Sequence, residues 1–324
     1  MKTNAIRIHE YGGPEVLKWE EIDVPDPAEG EAQIRHTAIG LNFIDVYHRT
    51  GLYPMELPVS LGSEAAGIVE SVGPGVGDVA IGDRVVYTGS PTASYSQRRN
   101  FDASRLVQIP DTVTDEVAAA VFLKGMTAWY LLRRSYRVQN GDPILLHAAA
   151  GGVGTLASQW ARLLGATVIG VVSTDKKAAL ARSHGCDHIV MADADIPEMV
   201  KQLTGGQGVA AVYDSVGRDT FFASLDSLRP HGTMVTFGNA SGPVDPFSPA
   251  ELAKRGSLYV TRPILFHFIN TRQELLQASD ELFDFIKQDG VDVRIGQTYA
   301  LKDAAQAHRD IEARKTTGST ILLP

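Results

Sequence analysis

Between about Gly125 and Pro263 the chain switches repeatedly between short apolar runs and helical patterns. PILLHAAA, TVIGVVS, HIVMA, VAAVYDSVG and TMVTFGN are nearly continuous apolar segments of strand length, and GTLASQWARLLG, KKAALARSHG, IPEMVKQLTGG and DTFFASLDSLRPHG between them carry helical spacing. Strands that are apolar on both faces need cover on both faces, and strands separated by helices pair in parallel. The alternation therefore predicts an α/β fold with a doubly wound parallel sheet of the Rossmann kind. In such sheets, ligands bind beyond the carboxyl ends of the strands.

From Met1 to about Ala120 the texture is different. AIRIHE, QIRHTAIGLNF, AAGIVESVG and RVVYTG read as strands, separated by the turn-like GGPE, DPAEG, GPGVGD and AIGD. Short strands with glycine corners predict a compact, barrel-like β domain. At 324 residues the chain exceeds the roughly 250 at which single cores stop growing, so two domains are expected. DEVAAAVFLKGMTAWYLLR reads as a helix leading from the first texture into the second. After the parallel region come a strand-like SLYVTRPIL, a helical RQELLQASDELFDFIKQDG and a closing STILLP, read as a strand returning to the first domain. The expected division is residues 1–124 with 268–324 for the β-rich domain and 125–267 for the parallel one.

A formal net charge of -8 argues against a general nucleic-acid partner. No apolar run approaches the roughly 20 residues of a membrane span, and MKTNAIRIHEYGG lacks the apolar core of an export signal, so a cytoplasmic protein with no membrane partner is expected. The single cysteine, Cys186, excludes an internal disulfide and a four-cysteine zinc site, and its place before an apolar run marks it as a buried structural thiol. His184 and His188 have i, i+4 spacing, but Gly185 between them and a strand starting at His188 make a helical metal face a poor reading. Both are taken as surface histidines.

HAAAGGVGTLASQW follows a strand and opens a helix, the context in which spaced glycines acquire meaning. Glycines let backbone approach a pyrophosphate, and the helix N-terminus favours its charge. The pattern is Ala149, Gly151, Gly154, with alanine where the usual fingerprint has its first glycine. The turn Ala150, Gly151, Gly152 and Val153 is the expected pyrophosphate cradle.

The stretch from Gly141 to Arg162 resembles the signature of the quinone oxidoreductase (zeta-crystallin) branch of the medium-chain dehydrogenase/reductase superfamily, with Gln159 and Arg162 among the matched positions. The resemblance extends through GGPEVL, IGLNFIDVYHRTGLYP, LGSEAAGIVESVG, GDRVVY, FLKGMTAWYLL, VYDSVGRDT, FGNASG, SLYVTRP and GSTILLP. It implies a GroES-like catalytic domain, a Rossmann domain, a nicotinamide cofactor and a homodimer. Zinc alcohol dehydrogenases of the same superfamily carry a cysteine ligand in a GxCxxD context and a histidine ligand in GHE. Here those positions are held by Asn42 and Ser63, neither of which is a usual zinc ligand. Without a Lewis acid the acceptor has to be electron-poor already, as a quinone is.

The resemblance further implies site residues. Asn42, Asp45 and Tyr47 lie in the nicotinamide-side loop, and Tyr53 follows them. Asn42 and Tyr47 are expected to contact cofactor or quinone, with Tyr47 or Tyr53 as proton donor; the alternative is that the tyrosines only wall the pocket. Thr127 and Tyr130 belong with the nicotinamide, whereas Lys124 reads equally well as an ion-pair partner. Ser215 and Gly217 after one strand, Phe237, Gly238 and Asn239 after the next, and the Arg262 and Pro263 region complete the cofactor contacts.

NAD-selective Rossmann domains keep an acid at the end of the second strand. Here Val172 is followed by Ser173 and Thr174, while Lys177 and the family-matched Arg314 can meet a 2'-phosphate. Ala192, where relatives often have a tyrosine, and the nearby Asp175 weaken discrimination. NADPH is the expected cofactor, and no metal is expected. SLYVTRP, rich in β-formers, is expected to pair with its copy in a second subunit. Enone or enoyl-thioester reduction is the nearest enzymatic alternative, and an NADPH-binding crystallin-like or RNA-binding role is the non-catalytic one.

Overall fold

The computed structural model describes residues 1–324, which form two compact units. The first comprises Met1–Lys124, Thr271–Phe283 and Val293–Pro324, and the second comprises Gly125–Asn270 and Asp284–Asp292.

The first unit runs through β1 (Lys2–Ile8), β2 (Lys18–Asp23), β3 (Glu31–Leu41), α1 (Phe43–Thr50), β4 (Val59–Ser60), β5 (Glu64–Val72), β6 (Arg84–Thr88), β7 (Arg98–Asp102) and β8 (Val107–Gln108). β1 lies between β2 and β4 in a three-stranded antiparallel sheet, and β3 pairs antiparallel with both β5 and β7 in a larger one. Ile34, Ile39, Val85, Tyr87 and Phe101 from these strands pack into the core. α2 (Asp115–Tyr130) then carries the chain onward.

In the second unit, β9 (Pro143–Leu146), α3 (Gly152–Leu163), β10 (Thr167–Val172), α4 (Asp175–Ser183), β11 (His188–Met191), α5 (Ile196–Leu203), β12 (Val209–Asp214), α6 (Phe221–Asp226), β13 (Leu228–Thr236), α7 (Ala250–Lys254) and β14 (Tyr259–Thr261) follow in turn. The strands are all parallel, in the order β11-β10-β9-β12-β13-β14. The chain thus winds outward from β9 to β11, returns beside β9 as β12, and winds outward to β14. The reversal between β9 and β12 is the switch point where loops diverge and leave a crevice.

The chain closes with α8 (Arg272–Ile286), β15 (Ile295–Ala300), α9 (Ala304–Glu312) and β16 (Ser319–Leu323). β16 pairs antiparallel with β3 of the first unit, Thr320 opposite Leu41, so STILLP does return to the first unit.

Four sequence readings need correction. The helix expected over DTFFASLDSLRPHG ends at Asp226, and Leu228 already pairs with Val209 in β13. Pro230 explains this, because proline breaks a helix and pushes the residue before it to extended backbone. SLYVTRPIL yields only the three-residue β14, since Pro263 has no N–H for a ladder. Residues 268–270 and 284–292, expected in the β-rich domain, belong to the second unit. Trp160 stacks on Phe285 at 4.3 Å, and Gln159 bonds the Asp292 backbone in both directions, 2.7 and 3.0 Å. Finally, His184 is buried, its Nε2 3.1 Å from Asp292 and its Nδ1 2.9 Å from the Leu180 carbonyl oxygen. Cys186 is buried as expected, and burial pushes its thiol up to about 11, which keeps it unreactive. No helix is long and apolar enough to cross a membrane.

Candidate active site

The second unit presents three turns at the carboxyl ends of its central strands. The first joins β9 to α3. Its left-handed residue is Ala148, with φ 54°, so position 149 needs no glycine and Ala149 fits there. Gly154 is required for a different reason. A Cβ there would lie 2.3 Å from the Ala148 carbonyl oxygen and 2.7 Å from the Ala149 Cα, so the close approach of helix to turn excludes any side chain. Gly151 caps α3 with no side-chain hydrogen bond. The first-turn N–H groups of Gly152 and Val153, which have no acceptor within the helix, therefore fit an anion such as a pyrophosphate.

The second turn joins β10 to α4. Val172 ends the strand, and exposed Ser173 and Thr174 follow it. Thr174 caps α4 by accepting from the Lys177 N–H at 3.3 Å, which fixes Lys177 in the first helical turn. An acid that would repel a 2'-phosphate is missing at the strand end, and a cation sits one turn on.

Ser215 and Gly217 form the third turn, after β12, and it is packed against Phe237, Gly238 and Asn239, after β13. A Cβ on Gly238 would fall 2.3 Å from the Ser215 carbonyl oxygen, so the two segments touch backbone to backbone. Ser241 N donates to the Val216 carbonyl oxygen at 2.8 Å, closing the pair. In α2, Thr127 is half-buried and Tyr130 stacks parallel on Phe268, ring centroids 5.1 Å apart, which fixes the tyrosine's plane.

The first unit gathers the other expected residues at the N-terminus of α1. Asp45 accepts from the Asn42 N–H at 2.9 Å, holding the start of the helix. Asn42 is buried and its Nδ2 donates to Glu64 Oε2 at 2.8 Å. Lys124 Nζ lies 3.4 Å from the same oxygen, so Lys124 is the ion-pair partner rather than a separate site group. Ser63 donates to Asp45 Oδ1 at 2.9 Å. Tyr47 is buried and meets Tyr53 edge-on at 5.3 Å, and its ring centroid lies 5.4 Å from that of Phe43. Arg314, exposed after α9, also belongs to the first unit.

Sequence reading missed the groups behind Asp45. Arg49 Nη1 lies 3.1 Å from His308 Nδ1, and Arg49 makes a two-pronged pair with Glu312 at 2.7 and 2.8 Å. A guanidinium only donates, so Nδ1 accepts and the ring proton is on Nε2, which donates to Tyr95 Oη at 3.1 Å. Tyr95 in turn donates to Asp45 Oδ2 at 3.0 Å. Each member is isolated in sequence, and only the fold reveals their direction.

With this geometry in hand, comparison with known proteins is informative. Residues 28–138 match the alcohol dehydrogenase GroES-like domain, and residues 152–281 match the domain described as zinc-binding dehydrogenase. A quinone oxidoreductase of Salmonella typhimurium is 50% identical over 326 residues, covering 99% of this chain and 100% of that protein. The chain belongs to the quinone oxidoreductase family. This is the zinc-free branch of the medium-chain dehydrogenase/reductase superfamily. Within the family, the Escherichia coli quinone oxidoreductase solved with NADPH superposes with a TM-score of 0.97 at 49% identity, covering 99% of this chain and all of that one. A 2-haloacrylate reductase of Burkholderia is 47% identical, covering 99% of this chain and 98% of that protein.

Burial pushes Asp45 up to about 6, against the hydrogen bonds from Asn42, Ser63 and Tyr95. Burial raises Glu64 too. Between about 4 and 6 the folded protein holds a proton on Asp45 that the unfolded chain releases, so this group's contribution is full at low pH and is lost as pH rises through 6. His36 and His308 act in the opposite sense: burial lowers both to about 3, so acidification below their usual 6.5 costs stability. Asp45→Asn removes one of these two compensating carboxyls and leaves the histidines. Its urea midpoint should therefore fall more steeply than that of the wild type between about pH 6.5 and about pH 4.5. Parallel profiles would show that Asp45 is ionised throughout.

Proposed function

We propose that the protein transfers hydride from NADPH to quinones with no metal at the acceptor. The observation that carries this reading is the engagement of the two replaced ligand positions, the Asn42 amide by Glu64 and the Ser63 hydroxyl by Asp45. Side chains committed in this way supply the acceptor with no Lewis acid. An acceptor that delocalises incoming negative charge into its own ring suits such a site. The NADPH complex of the Escherichia coli relative and the uncapped start of α3 support the choice of cofactor.

When bound, NADPH supplies the hydride from C4 of its nicotinamide. The chain's part is to bind, orient and protonate. The first turn of α3, with Ala150, Gly151, Gly152 and Val153, holds the pyrophosphate. Ser173, Thr174 and Lys177, with Arg314, hold the 2'-phosphate, and Asp175 moderates that preference. Thr127, Tyr130, Ser215, Gly217, Phe237, Gly238 and Asn239 seat the nicotinamide half, and Asn42, Asp45 and Tyr47 complete that end. Tyr47 or Tyr53 delivers a proton to the reduced acceptor. Activated alkenes are the second acceptor class, favoured by the 47% identity to the 2-haloacrylate reductase. The protein acts in the cytoplasm as a homodimer joined through β14, an edge strand with Tyr259 exposed.

Lys177→Ala should raise KM for NADPH about tenfold, as loss of a charge-assisted contact of roughly 1.4 kcal/mol implies, with little change for NADH. Equal effects on the two cofactors in steady-state assays would remove Lys177 from the phosphate site. Tyr47→Phe and Tyr53→Phe separate acid from wall: the donor's variant should lose turnover by about a hundredfold and lose the alkaline limb of the pH profile. Unchanged turnover and pH dependence in both would leave protonation to water.

A further inference from the structure

One buried carboxylate joins the turns at the carboxyl edge of the second unit. Asp214, the last residue of β12, is fully buried, and neutral donors surround it. Val216 N and Gly217 N donate to Oδ1 at 2.7 and 3.1 Å, while Thr220 Oγ1 and Ser224 Oγ donate to Oδ2 at 2.6 and 2.8 Å. Ser224, having given its proton to the carboxylate, can only accept from His147 Nε2 at 3.0 Å. That fixes the histidine tautomer, and burial lowers His147 so that the ring stays neutral. His147 stands directly before the turn from Ala148 to Gly151, and its N–H donates to the Tyr213 carbonyl oxygen at 3.0 Å.

We infer that Asp214, Ser224 and His147 are positioning residues that lock the β9–α3 turn and the 215–217 turn into one rigid cofactor cradle. The inference rests on the NADPH reading above and adds a device that acts without touching the ligand. Burying a carboxylate costs free energy that an apolar side chain would avoid. Its four donors offset that cost only when residues 216, 217, 220 and 224 are arranged as observed, so the carboxylate selects this turn conformation over others. Because Gly238 lies against Ser215, the segment after β13 is held by the same anchor. A cradle ordered before binding spares the cofactor the cost of ordering it.

Ser224→Ala cuts the link between Asp214 and His147 while leaving the other three donors in place. His147→Phe cuts the same link from the other side and fills the ring volume. Each should raise the NADPH dissociation constant about tenfold by fluorescence titration, as expected if the ordered cradle becomes a minor population of roughly a tenth. KM for NADPH should rise more than kcat falls. The double variant should bind no more weakly than Ser224→Ala alone, because removing Ser224 already cuts the link to His147. A merely structural role would lower the melting temperature but leave the dissociation constant unchanged, and that result overturns the inference. Multiplying effects in the double variant would overturn it too. Failure of the wild type to bind NADPH at all would instead overturn the cofactor reading.

Discussion

A carboxylate withdrawn from water has to be met by donors, and two such groups, Asp45 and Glu64, organise the start of α1 in this protein. Both are fully buried, and stranding either would cost several kcal/mol. Asn42, Ser63, Tyr95, Lys124 and the backbone at Leu123 are drawn to them, so the start of α1 has one arrangement that satisfies every group. Tyr47 and Tyr53 are carried on that helix and the turn after it. Their placement thus follows from the carboxylates that fix the start of α1.

The same economy appears in the second unit, where Asp214 is satisfied by backbone and hydroxyl donors. Parallel strands bring the turns to one edge, but strand order alone leaves their loops free to vary. The buried carboxylate removes that freedom. Glycine contributes by absence of a side chain: Gly154 and Gly238 permit backbone contacts that any Cβ would block.

The parallel sheet was legible in the sequence because strands buried on both faces are nearly continuous apolar runs. The glycine cluster was legible because it stood between such a strand and a helix. α1 and α9, of eight and nine residues, were not read as helices, since so few turns carry no clear period. β13 was partly mistaken for helix until Pro230 is weighed as a breaker. The network of Arg49, His308, Tyr95 and Asp45 left no trace of spacing, because His308 lies 213 residues from Tyr95. Asn42 and Ser63 were visible as departures from a metal-binding pattern, yet the carboxylates that engage them emerged only from the fold.

These observations converge on a reductase whose chemistry depends on an electron-poor acceptor and an ordered cofactor. Steady-state NADPH oxidation against benzoquinones, naphthoquinones, enones, enoyl thioesters and simple ketones, with and without a metal chelator, tests that claim most directly. Quinones should be the fastest acceptors, simple ketones inert, and the chelator without effect. Tight NADPH binding with no turnover of any quinone or enone, or ketone reduction abolished by the chelator, would contradict the account.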